Sequence, residues 1–112
     1  MEIVYEQEKP YRGGASGVKY LCRGPRIDWG VILLAPGEPL GRHLHKEVEE
    51  TFYIVEGTGG RFVVNGQEHP IRVGMVVRVE PGEAHNIVND TKSPLKVVFI
   101  KSPYNPTDKV DV

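Results

Sequence analysis

Residues 41–57 read GRHLHKEVEETFYIVEG. Two histidines stand one residue apart, a pair of glutamates follows, and an apolar run ends at Gly57. In an extended chain, residues i and i+2 face the same side. His43 and His45 therefore point one way and Leu44 the other. The next residues, KEVE, allow a turn, and TFYIV then carries the branched and aromatic side chains that suit a strand. A glutamate just past that turn lies on the neighbouring strand, within reach of both imidazoles. Two neutral ring nitrogens and one carboxylate on a concave face suit a divalent transition metal that keeps positions open for solvent or ligand.

The same pattern continues on both sides. Thirteen glycines and nine prolines punctuate the chain, and no segment holds a helical apolar period for three turns. Between them lie short runs rich in Val, Ile, Tyr and Phe: VKYLC, WGVILL, RFVV, MVVRV, HNIV and LKVVFI. Asn65-Gly66, between RFVV and QEHPIRV, predicts a two-residue hairpin loop, because a type I′ turn needs positive φ at both positions. Many short strands at even spacing predict an all-β sandwich or barrel. A second stretch, GMVVRVEPGEAHNIVN at residues 74–89, runs a strand into a Pro81-Gly82 corner and places His85 at the start of the next strand. His85 is a candidate third imidazole.

Composition narrows the function classes. At 112 residues the chain forms one domain. A net charge of −1 gives no electrostatic footprint for nucleic acid or an anionic membrane. No apolar run approaches the roughly 20 residues of a membrane span, and the N-terminus lacks the apolar core of a signal peptide. Cys22 is the only cysteine, so no internal disulfide forms. These features predict a cytoplasmic protein with no nucleic-acid or membrane partner.

The paired stretches resemble the two motifs of the cupins. The first motif, about residues 37–57, is matched by Gly37, His43, His45, Glu50 and Gly57. The second, about 74–89, is matched by Gly74, Gly82, His85 and Asn89. Glu80 departs from the pattern, standing where the family usually has proline, with Pro81 beside it. The resemblance implies a double-stranded β-helix (jelly-roll-like) barrel over residues 1–112. It also implies one divalent transition metal (Mn, Fe, Ni, Zn or Co) held by His43, His45, Glu50 and His85. Glu49 is the rival carboxylate, and only Glu50 leaves six residues before Gly57. The family hosts dioxygenases, decarboxylases and isomerases as well as non-catalytic binding and sensing modules. The expected function is accordingly a metalloenzyme for a small polar metabolite, with a metal-dependent binding or sensing module as the alternative. No catalytic residue beyond the ligands is named by the sequence.

Small cupins commonly pair, so the resemblance implies a homodimer. The ends, residues 1–17 and 102–112, are expected to be flexible or at the subunit interface. His69 reads as a surface residue, Trp29 as core or interface, and Phe52, Tyr53 and Phe62 as packing residues of the barrel. Arg42, Arg61 and Arg78 read as solvated, and any that faced inward would argue for an anionic substrate. Imidazoles of ordinary pKa, about 6.5, predict metal release as pH falls through roughly 6 to 5.

Overall fold

The structure, a computed structural model, describes residues 1–112. A short 3₁₀ turn, Glu6–Glu8, precedes ten strands: β1 Gly17–Arg23, β2 Asp28–Leu34, β3 His43–His45, β4 Glu49–Glu56, β5 Arg61–Val64, β6 Gln67–Pro70, β7 Val76–Val79, β8 His85–Val88, β9 Leu95–Ser102 and β10 Lys109–Asp111. They form two five-stranded antiparallel sheets, ordered β1-β2-β9-β4-β7 and β10-β3-β8-β5-β6. The predicted all-β fold is thus observed. No helix is long and apolar enough to cross a membrane.

The two inner faces supply the core. Ile32 and Leu34 of β2, Phe52 and Ile54 of β4, and Leu95, Val97 and Phe99 of β9 meet Phe62 of β5 and Ile87 of β8. Along β9 the buried positions alternate with the others, as a sheet packed on one side requires. Phe52 and Phe62 meet edge to face across the sheets at 5.0 Å. Tyr53 does not pack the barrel; its strand phase turns it outward and it is 47% exposed.

The hairpin at Asn65-Gly66 forms as its residues dictate, with φ of 48° and 80°. Gly57, where the β4 run stops, has φ 101°, and a Cβ there would stand 2.7 Å from the Pro94 carbonyl oxygen. The site requires glycine on both counts. His69 lies on the fully exposed edge strand β6, where Pro70 costs no ladder hydrogen bond.

Both ends of the chain contact the barrel. Lys19, 5% exposed on the outer face of β1, donates to the Glu6 carbonyl and sits 3.9 Å from the centroid of the Tyr11 ring. Glu6 also accepts from Lys96 of β9 at 2.9 Å. This N-terminal cover explains why β2 is buried on both faces instead of alternating. At the other end, β10 pairs with β3, Lys109 opposite His45 and Asp111 opposite His43.

Candidate metal centre

β3 is only three residues long, and its alternation does what the sequence requires. His43 and His45 turn inward and are 5% and 4% exposed. β8 lies beside it, with His85 directly opposite His43. Glu50 arrives differently from the expectation. It does not sit on a strand neighbouring the histidines. Residues 46–48 carry the chain from one sheet to the other, so Glu50 on β4 faces the three imidazoles across the barrel. Glu50 Oε1 lies 3.1 Å from His45 Nε2, 3.3 Å from His85 Nε2 and 4.0 Å from His43 Nε2. One ligand atom from each of the four residues lies within 4.8 Å of all the others. Metal–nitrogen bonds of about 2.0–2.1 Å place donors no more than about 4.2 Å apart. The set therefore needs a contraction of roughly half an ångström at its widest.

The hydrogen bonds behind the rings show what the centre accommodates. His43 Nδ1 is 2.9 Å from the Gly41 carbonyl, and His85 Nδ1 is 3.0 Å from the Glu83 carbonyl. A carbonyl only accepts, so both Nδ1 atoms carry the proton and both neutral rings present an Nε2 lone pair to Glu50. Two lone pairs aimed at a carboxylate oxygen repel it unless positive charge sits among them. A divalent cation meets that need.

Burial in the barrel lowers the pKa of His43 to about 4, partly opposed by its bond to Gly41. This ring stays neutral, and able to ligate, well below the pH of an ordinary imidazole. Burial also works to raise Glu50. The hydrogen bond from His45 and the charge of Lys101 act against it, and Glu50 lies at about 2. Glu50 is 3% exposed and Glu49 only half-buried, its strand position opposite Ser102.

Loop contacts hold the candidate ligands in place. The Gly82 N–H donates to the His45 carbonyl at 2.7 Å, tying the corner before β8 to β3. Glu80, with an N–H that proline would lack, donates it to Glu83 Oε1 at 2.8 Å. Asp108 accepts from the N–H groups of Glu47 at 2.8 Å and Val48 at 2.9 Å, pinning the crossover between the sheets. The Asn89 side chain is wholly buried, its amide facing the carbonyls of Leu34, Ala35 and Ser93.

A cupin-domain family model matches residues 30–101. The chain is a cupin. Over 67 residues it is 36% identical to an oxalate-binding protein of Thermotoga maritima, covering 60% of this chain and 54% of that one. It is 37% identical over 79 residues to the tetracenomycin polyketide synthase protein TcmJ of Streptomyces glaucescens, covering 69% and 51%. This cupin thus spans about half the length of the curated relatives it matches. A Klebsiella pneumoniae protein with a double-stranded β-helix domain superposes with a TM-score of 0.85 at 18% identity, covering 100% of this chain and 97% of that one. That likeness shows the fold alone.

The cupin's donor set opens onto a cavity of about 160 Å³ lined in part by His43, His45 and Glu50. Its polar wall also includes Arg12, Tyr20, Arg23, Lys101, Asn105 and Lys109; Val18, Ile32, Leu40 and Phe99 make an apolar one. None of Arg42, Arg61 and Arg78 contributes; other cations do. Sequence reasoning missed them, although one signal was present. Leu95, Val97, Phe99 and Lys101 share one strand phase, so the lysine continues the inward face of β9. Arg12 lies outside the strands and carries no such signal.

Proposed function

We propose that this cupin, as one domain, holds a divalent transition metal through His43, His45, Glu50 and His85 and binds a small oxygen-rich anion beside it. The observation that carries this reading is that four buried donors cluster together and three of them, His43, His45 and Glu50, line one cavity with several cations. A cavity of about 150 Å³ accommodates benzene. One of about 160 Å³ therefore admits a compound of roughly six non-hydrogen atoms. The oxalate-binding relative supports a ligand of that size and charge.

The chain's own residues would prepare the site in three ways. The Gly41 and Glu83 carbonyls hold His43 and His85 with Nε2 free for a metal. Glu50 offsets part of the metal's charge and remains ionised through the physiological range. The apolar wall limits water around the bound anion. A bound transition metal supplies Lewis acidity, polarising ligand oxygens and stabilising charge that develops on them.

The metalloenzyme reading covers dioxygenase, decarboxylase or isomerase chemistry. One observation favours the alternative, a non-catalytic binding or sensing module: no carboxylate other than Glu50 lines the cavity, so no second acidic group stands ready to move a proton. Purified protein should carry close to one metal per chain, and a His43→Ala, His45→Ala double variant none. Manganese-, iron- or nickel-loaded protein is then mixed with oxalate, and dioxygen uptake, carbon dioxide and formate are followed. Turnover supports the enzyme; saturable binding without turnover supports the sensing module. Protein with no affinity for any of these metals would sink both.

A further inference from the structure

The cations of the cavity are not equivalent. Arg23 is engaged by Asp28 through two hydrogen bonds, at 3.2 and 3.0 Å, and Lys109 by Asp111 at 3.3 Å. Arg12 and Lys101 have no carboxylate within 4.0 Å. Of these two, Lys101 is on a strand, half-buried and directly opposite Glu50 in the β4–β9 register. Residues so paired stand on the same face, about 4.5–5.5 Å apart at Cβ. An ammonium has three N–H donors. One goes to the Tyr20 hydroxyl at 2.9 Å, and no other protein group accepts from Lys101. A partly desolvated cation with two free donors is a poor structural element and a good receptor for an anion.

Tyr20 is held on every side. Its ring lies under the Arg23 guanidinium at 3.8 Å and meets Phe99 edge-on at 5.3 Å. It projects from β1 opposite Gly30, which in turn pairs with Phe99. A Cβ at Gly30 would stand 2.0 Å from the Lys19 carbonyl oxygen and 2.9 Å from Tyr20 Cα. Only glycine lets β1 come this close, with Tyr20 packed over Phe99 and its hydroxyl at Lys101.

We propose that Lys101, positioned by Tyr20, selects the ligand of this cupin: its two free N–H groups take one oxygen of a small carboxylate whose other oxygens reach the metal. This rests on the metal-holding reading above. It accounts for a lysine at an inward position of β9 and for the aromatic and guanidinium packing that fixes its one protein partner.

The test uses zinc-loaded protein, because zinc does no redox chemistry, and follows binding of oxalate and of its neutral isostere oxamide by calorimetry at pH 7. The wild type should prefer oxalate. Lys101→Met should retain one zinc per chain, lose about ten- to a hundredfold in oxalate affinity, as for a lost charge-assisted hydrogen bond, and lose clearly less in oxamide affinity, whose carbonyl accepts without the charge assistance. Lys101→Gln, which removes charge but retains hydrogen bonding, should behave likewise and serves where the methionine variant folds poorly. Lys101→Arg should recover most of the affinity. Tyr20→Phe should cost oxalate about two- to tenfold and oxamide less. Unchanged oxalate affinity in zinc-loaded Lys101→Met or Lys101→Gln, or equal losses for oxalate and oxamide, would overturn the proposal. A wild type that binds no zinc, or binds zinc but no oxalate, fails before any variant is made and overturns the underlying reading with it.

Discussion

Glu49 and Glu50 show how much one residue of strand phase decides. Both follow the same turn, yet Glu50 is enclosed among three imidazoles while Glu49 faces the other side. Glu50→Gln should abolish or severely weaken metal retention on dialysis, and Glu49→Gln should leave it near wild type. Equal losses would place the ligand wrongly. His43 carries a pH signature. Its pKa in the fold is about 4, against about 6.5 unfolded. The unfolded chain takes up the proton first, so the stability His43 contributes is complete above 6.5 and is lost as pH falls from 6.5 through 4. The loss is at most about 3 kcal/mol. Glu50, at about 2 in the fold against 4.5, contributes stability that is present above 4.5 and lost as pH falls through 2. Urea midpoints of chelator-treated protein should therefore fall between pH 6.5 and 4 in the wild type and fall less in His43→Leu. For the same reason, proton competition at His43 begins lower than the pH 6 to 5 window expected from an ordinary imidazole.

Among the elements, β10 and the crossover at residues 46–48 decide how firmly the centre is held. Asp108 satisfies two N–H groups of that crossover, and β10 then zips along β3. Asp108→Ala strands both donors and should cost about 1–3 kcal/mol, read as a lower melting temperature together with faster metal loss to a chelator. Unaltered metal release would separate the strap from the site. Most strands were legible from alternation and turn chemistry: RFVV and HNIV occupy the residues of β5 and β8, and Asn65-Gly66 makes its hairpin. β10 was not, because three residues with two charges hold no period and exist as a strand only through their partner. The four candidate ligands were legible because their spacing matches two motifs. Their division between sheets was not. A turn of three residues reads locally as a hairpin, and only the packing of distant strands makes it a crossover. Lys101 stood in the inward phase of β9, but its relation to Glu50 depends on a register between strands far apart in sequence.

At the scale of the whole molecule, a metal held by the three candidate side chains of one sheet and the one of the other would clamp the two layers together. Binding to the folded form alone stabilises it by about 2.7 kcal/mol at a hundredfold excess over Kd, or about 10 °C for a domain of this size. Calorimetric scans with and without chelator should differ by that amount, and no difference would mean that the layers do not need the ion. The outer face of the first sheet stays uncovered beyond the N-terminal segment: Tyr53, Val76 and Ile100 are 47%, 62% and 41% exposed, and Tyr53 pairs directly with Val76. A homodimer should bury this face. Light scattering at micromolar concentration should give twice the chain mass, and Ile100→Asp the single mass. The place of β9 has a further consequence. It lies between β2 and β4, partners that precede it by tens of residues in sequence, so neither the hairpin of β1 and β2 nor the pair of β4 and β7 can join the other before residues 95–102 arrive. Folding must wait on long loop closures, which puts it among the slow, millisecond-to-second barrels. Until β9 is in place the sheet that carries Glu50 is incomplete, and an ion could engage at most the three histidines of the other sheet.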